Sequence, residues 1–267
     1  MTRQLPPFSY RLSGVATGPT ITFIPGIAND ATFWAAQADA LAERFRVLTF
    51  SPWGHGDSPP PPAECRYADI VEGVVQMWDR LGIARSGIVG LGFGGSVALS
   101  LGLEVPSRVE RIVACCCRPR QPDDRRDFWR KRVETALTSG LDALMDQTVD
   151  RWLRDDFRAA HPEVDRTLRE MAKRTTVEGY RAYVNAFVEM DFEARLDQLR
   201  VPVMLVAAEH DHGGGPVESM RGMAERIPGS EFEIVTGAGH IVNHEAPATV
   251  LGLLHRAFAP ISASPSM

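Results

Sequence analysis

The sequence predicts an α/β protein with a mostly parallel central sheet, helices on both faces and an inserted helical cap. Three observations predict this. Short apolar runs bounded by turn residues recur along the chain, amphipathic helical patterns lie between several of them, and the alternation is suspended once, from about Arg118 to Leu199. Strands that alternate with helices join in parallel through crossovers, which cover both faces of the sheet.

The runs that read as strands are 21–24, 46–50, 87–89, 111–116, 201–207 and 231–235. Between the second and third, Ile70, Val71, Val74, Val75, Trp78 and Leu81 recur at helical spacing. Asp69, Glu72, Gln76 and Asp79 then face outward. Past Arg118 the chain becomes charged, with helical segments at 123–139, 141–153, 162–173 and 176–189. The expected division is therefore a discontinuous core of residues 1–118 and 199–267, interrupted by a cap of residues 119–198. The tail, 260–267, is polar and rich in Pro and Ser and is expected to fray.

With 267 residues, 44% of them hydrophobic and 24% charged, the chain is long enough for a large core. A formal net charge of -5 gives no overall reason to bind nucleic acid or an anionic membrane surface. No apolar run approaches the roughly 20 residues of a membrane span, and residues 1–13 lack the charged-then-apolar pattern of a signal peptide. The expectation is a cytoplasmic protein, monomer or homodimer, whose partner is a small-molecule substrate.

Cys65 stands alone, and Cys115, Cys116 and Cys117 are consecutive at the end of an apolar strand. Neighbours in a strand point to opposite faces, so the three read as buried small hydrophobes and not as a disulfide or a metal tetrahedron. Cys117 keeps a second reading, because sites form at the C-terminal ends of core strands in open parallel sheets. The histidines His55, His210, His212 and His244 read as structural, loop or surface residues without metal-ligand spacing. No metal and no cofactor are expected.

The stretch from Ser86 to Gly95 reads as a strand, a tight glycine-lined turn and the start of a helix, the local structure of a G-x-S-x-G nucleophile elbow. Gly92 stands at the position of the serine. A second register, Gly94-Gly95-Ser96-Val97-Ala98, would require the strand to continue through glycines. Ser96 is therefore expected one turn into the helix, facing the core. Downstream, Asp211 follows a buried strand in Glu209-His210-Asp211, and His240 closes Gly237-Ala238-Gly239-His240 after the next strand. An acid there can orient the imidazole. His212 and Gly213-Gly214-Gly215 form a segment expected to be mobile.

On these motifs the sequence resembles the α/β-hydrolase superfamily, whose chain order is nucleophile, acid, histidine. Within it the chain looks most like the 3-oxoadipate enol-lactonases. Phe23-Ile24-Pro25-Gly26 resembles the strand and oxyanion loop, and Ser51 to Ser58 the D-x-R-G-H-G-x-S turn, while 152–162 and 195–206 extend the similarity. Three departures stand out: Pro25 where the family has His or a polar residue, Ser51-Pro52-Trp53 in place of D-x-R, and Gly92. The resemblance implies an oxyanion hole from the backbone N–H groups of Ile27 and Phe93, with Gly92 removing covalent catalysis at the elbow.

In the basic start of the cap, Arg118 or one of the cap arginines reads as a grip for a substrate carboxylate, against the plainer reading of a solvated face. Trp129, Trp152 and Phe128 read as an apolar wall. The functional expectation is an enzyme, a lactonase-like hydrolase or a cofactor-free lyase or cyclase. It would act by His240–Asp211 general-base chemistry on an enol-lactone, a β-keto acid or a similar compound. The alternatives are a non-catalytic homologue that binds a ligand or protein, and an engineered Ser-to-Gly variant of a serine lactonase or esterase.

Overall fold

Among residues 3–259, which the computed structural model describes, seven strands pair in the order β1-β3-β2-β4-β5-β6-β7. They are β1 (Ser9–Gly14), β2 (Thr20–Ile24), β3 (Arg46–Ser51), β4 (Ser86–Leu91), β5 (Val109–Cys115), β6 (Val203–Ala208) and β7 (Glu231–Val235). All neighbours are parallel except β1, which runs antiparallel to β3. β2, β4 and β6 are buried along their whole length, which is why they read as largely apolar runs and not as alternating patterns. Strand β1 escaped the sequence reading for the opposite reason. As an edge strand it has no fully buried residue, and Ser9-Tyr10-Arg11-Leu12-Ser13-Gly14 carries no apolar run. The segment 260–267, expected to fray, lies outside the described residues.

Side chains alternate across the sheet, so consecutive residues feed two separate cores. Ile21, Phe23, Val47 and Val89 pack with α1 (Ala35–Leu41) on one face. Leu48, Phe50 and Ile88 pack with α2 (Tyr67–Arg80) and α3 (Phe93–Glu104) on the other. The apolar stripe of α2 lies where its periodicity places it, with Ile70, Val71, Val74 and Trp78 buried. Gln76, expected outward, is buried instead. Its amide accepts from the Leu5 N–H at 3.0 Å and donates to the Arg3 carbonyl at 2.8 Å, tying down the chain before β1.

Between β5 and β6 the chain forms α4 (Asp123–Ser139), α5 (Asp142–Trp152), α6 (Asp155–Ala160), α7 (Pro162–Lys173) and α8 (Val177–Glu189). Helix α6 was not foreseen; at 6 residues it is too short to show a period. Met145, Val149, Leu168, Ala172, Tyr180 and Val184 are buried among these helices. The group is fastened to the sheet at the turn after β3. The Gly54 carbonyl accepts from the Thr176 N–H at 2.7 Å, and the Gly56 N–H donates to the Arg174 carbonyl at 3.2 Å. His55 lies fully buried there, its Nδ1 2.9 Å from the Trp53 carbonyl, and burial lowers its pKa to about 4. The remaining α-helices among the described residues are α9 (Val217–Arg226), α10 (Val242–Glu245) and α11 (Pro247–Phe258). Among the described residues no helix is long and apolar enough to cross a membrane.

From β2 the chain moves to one side to form β3, then crosses back to form β4 on the other side of β2. The loops that leave β2 and β4 therefore diverge, opening a crevice at the C-terminal edge of the sheet.

Candidate active site

Gly92 forms the turn between β4 and α3, with φ 58° and ψ -121°. This left-handed backbone suits glycine, which lacks the Cβ that would clash. A Cβ built there would stand 3.4 Å from Nε2 of His240. Ser96 lies in the first turns of α3, fully buried, and its Oγ donates to the Arg118 carbonyl at 2.7 Å. Ser96 thus lies within the helix and Gly92 at the turn.

Asp211 follows β6 and is buried. Its Oδ1 accepts from the Gly213 and Gly214 N–H groups at 3.0 and 2.7 Å. Its Oδ2 accepts from Gly215 at 2.7 Å and lies 2.9 Å from Nδ1 of His240. The segment 213–215, expected to be mobile, is thus a turn wrapped around a carboxylate. Burial alone would raise the pKa of Asp211. The His240 charge, the His240 hydrogen bond and the Gly215 and Gly214 amides outweigh burial and hold the carboxyl well below the usual range. An ionised carboxylate only accepts, so Nδ1 of His240 carries the proton. In the neutral ring Nε2 then offers its lone pair towards Gly92.

The loop that carries His240 is held by two carboxylates that sequence reasoning missed. Glu209 accepts from the Gly237 N–H at 2.8 Å, and Glu245 accepts from the N–H groups of Gly239 at 2.8 Å and Arg154 at 2.9 Å. These contacts span up to 91 positions. No local pattern announces them. His244, expected on the surface or in a loop, sits in α10, where its Nε2 lies 3.0 Å from the Phe33 carbonyl and burial lowers its pKa.

Ile27 and Phe93 both line the crevice, and neither N–H donates to a protein acceptor among the described residues. At the end of β5, Cys116 turns into the left-handed region, with φ 49°, so the strand stops one residue earlier than its apolar run. Cys116, Asp211 and His240 bring a sulfur, a carboxylate oxygen and a ring nitrogen within 4.8 Å of one another. The donor set suits a metal poorly. Both oxygens of Asp211 are engaged, and burial first, then Asp211, push the Cys116 thiol pKa up, so the sulfur stays protonated.

Above this edge lies a cavity of about 360 Å³ between the sheet loops and helices α4, α5 and α8. Gly92, His240, Arg118, Trp129 and Trp152, all singled out from the sequence, line it together. Arg118 is partly committed, since its Nε donates to the Gly214 carbonyl. The cavity also takes in Arg151, Thr148 and Tyr180, which sequence reasoning did not single out.

A switch-point crevice, a strand-to-helix elbow, and an acid and a histidine on the loops after β6 and β7 define a protein of the α/β-hydrolase class. The family model for the alpha/beta hydrolase fold matches residues 19–247, and the chain belongs to this family. It is 27% identical to 3-oxoadipate enol-lactonase 1 of Acinetobacter baylyi over 92% of this chain and 90% of that one. It is also 27% identical to a Caulobacter segnis protein to which carbamate hydrolysis has been ascribed, over 85% of this chain and 86% of that one. The crystal structure of the enol-lactonase from Burkholderia xenovorans LB400 superposes with a TM-score of 0.90 at 28% identity, covering 94% of this chain and 96% of that one.

Proposed function

We infer that this protein is an α/β-hydrolase-fold enzyme acting on a small carboxylate-bearing substrate, an enol-lactone, a β-keto acid or a compound of similar reactivity. Its base is His240, held by Asp211, and it forms no serine acyl-enzyme. The observation that carries this reading is the imidazole of His240, its Nδ1 2.9 Å from Oδ2 of Asp211 and its ring lining the cavity where Gly92 contributes no side chain.

For an enol-lactone the steps are short. Water attacks the carbonyl carbon while its proton passes to Nε2, and the oxyanion receives the N–H groups of Ile27 and Phe93. Collapse expels the enol oxygen, which takes the proton back from His240 and yields the ketone on tautomerisation. A stabilised leaving group of this kind makes a covalent intermediate dispensable. A positioned base contributes on the order of 10²- to 10⁴-fold, and the N–H pair roughly 10²- to 10³-fold more. The same groups serve a lyase or cyclase reaction that starts at a C–H bond, with an enolate in place of the oxyanion. In this reading residues 119–198 form a cap over a core of 1–118 and 199–267. The relatives named as enol-lactonases support the substrate class.

Turnover of α-angelica lactone, a small enol-lactone, and of its carboxymethyl analogue tests the reading. His240→Ala is expected to lower kcat/KM by about 10²- to 10⁴-fold, with intact-mass spectrometry showing no acyl adduct during wild-type turnover. Unchanged turnover in His240→Ala, or an acylated chain, would overturn it.

A further inference from the structure

The arginines of the helical segment fall into two groups. Five lie in ion pairs: Arg126 with Asp123, Arg130 with Asp127, Arg154 with Asp156, Arg158 with Asp150 and Asp155, and Arg169 with Asp146, Asp150 and Asp165, while Arg166 and Arg181 are exposed to solvent. Those on the inside differ. Arg125, Arg132 and Arg151 stand around the Phe128 ring, their guanidinium carbons 5.7, 5.6 and 5.1 Å from its centre, and none has a carboxylate partner among the described residues.

Arg132 is buried and spends its donors on neutral acceptors, the Tyr180 hydroxyl at 3.0 Å, the Leu144 carbonyl at 3.0 Å and the Thr148 hydroxyl. Arg125 donates to the His212 carbonyl at 2.9 Å. Arg151 makes neither a hydrogen bond nor an ion pair among the described residues, and it lines both the cavity at Gly92 and a second one beside it. Burial, and then the Arg132 charge, push its pKa down to about 10. Its sequence neighbour Asp150 is already shared by Arg158 and Arg169. Asp155 and Asp156 line the second cavity, but each is engaged by an arginine of its own. Among the described residues the cavity at Gly92 is lined by Arg118, Arg125 and Arg151 and by no aspartate or glutamate. In a chain of net charge -5 this concentrates positive charge at one place with no carboxylate in the lining.

We propose that Arg151, seconded by Arg125, is the specificity-determining group that holds the carboxylate of the substrate at the junction of the two cavities. The carboxylate supplies a counter-charge and accepts from the free donors of the fork, an arrangement that Arg offers and a point charge does not. Arg118 then serves chiefly to hold the Gly214 turn. The proposal rests on the reading of the cavity as a substrate site, but not on the chemistry of His240.

A binding experiment without turnover keeps the two apart. Levulinate, a small keto acid, and its neutral methyl ester are titrated calorimetrically against the wild type, Arg151→Gln, Arg151→Lys and, as an outer-face control, Arg130→Gln. The wild type and Arg130→Gln are expected to prefer the acid by about tenfold or more, a preference that shrinks as ionic strength rises. Arg151→Gln is expected to lose most of the preference, and Arg151→Lys to keep part of it. Equal binding of acid and ester by the wild type, or an undiminished preference in Arg151→Gln, would overturn the proposal and leave the His240 reading standing. Should Arg151→Gln fail to fold, Arg151→Lys decides, since a preference there equal to that of the wild type, with the fork lost, would overturn the proposal.

Discussion

At the sheet edge the carboxylate of Asp211 has four partners and the loop of His240 is braced by two more carboxylates, whereas on the helical face above it three arginines share one aromatic ring and no acid. The two regions face each other across one cavity. Groups that move protons need a fixed geometry, which a saturated hydrogen-bond shell provides. Groups that recognise a charged ligand keep unspent capacity, because the ligand completes them. On this comparison the edge carries the chemistry and the helical face carries the selection.

The sharpest way to break the comparison is to disturb the edge without removing a polar group. A Cβ on Gly214 would overlap Cε1 and Nδ1 of His240, so Gly214→Ala must push the ring off Asp211. Loss of the aligned base should lower kcat/KM by about 10²-fold or more, with the far-UV circular dichroism retained. Gly213 is the control, since a Cβ there meets nothing within 4 Å. Gly213→Ala should stay within about twofold. Equal effects from both would mean that the turn, and not the imidazole, is what matters.

A second test concerns the fastening between the two regions. His55 lies buried where the turn after β3 meets α8 and α2, and its pKa is lowered to about 4 from the ordinary 6.5. The unfolded chain binds the proton first, so the stability present above pH 6.5 is lost as pH falls towards 4. The loss is on the order of 3 kcal/mol. Asp211 acts in a lower window, because its depressed carboxyl pKa gives stability that is lost only below the ordinary range near 3.9. Urea midpoints of the wild type and His55→Gln between pH 4 and 7 check the sign. The variant should lack the upper part of the pH dependence.

What could be read from the sequence follows the same line. Gly92 and Asp211 are each tied to the end of a buried strand, so a local run of apolar residues followed by a turn placed them, and His240 was placed by the glycine-lined loop after the half-buried β7. The stripe Ile70, Val71, Val74 and Trp78 was equally local. Glu209, Glu245 and Gly214 were not legible, because their roles are set by loops that meet only in the folded chain. Arg151 was hidden for another reason. An arginine beside Asp150 on a charged helix looks like half of a surface pair, and only the fold shows that Asp150 is engaged by Arg158 and Arg169. Strand β1 and helix α6 were missed because an exposed edge and a single short turn bury too little to impose a pattern.

The smallest expected effect comes from adding the side chain that the edge lacks. In Gly92→Ser the new Cβ meets only His240, with 3.4 Å to Nε2, so the hydroxyl can reach the imidazole without displacing a neighbour. The backbone there, φ 58° and ψ -121°, disfavours any side chain, and the variant should lose about 1 to 3 kcal/mol of stability. The serine also fills the space in which water approaches Nε2 in the inferred mechanism. Enol-lactone turnover should therefore fall by about tenfold, the equivalent of one misplaced contact, while p-nitrophenyl acetate should leave an acetyl group on Ser at this position, detectable by mass. If enol-lactone turnover rises instead, the edge works best as a covalent machine, and the division between a proton-moving edge and a charge-selecting helical face has to include a nucleophile. If turnover falls and acylation appears, the dyad and the N–H pair are shown to act on a carbonyl with or without a hydroxyl between them.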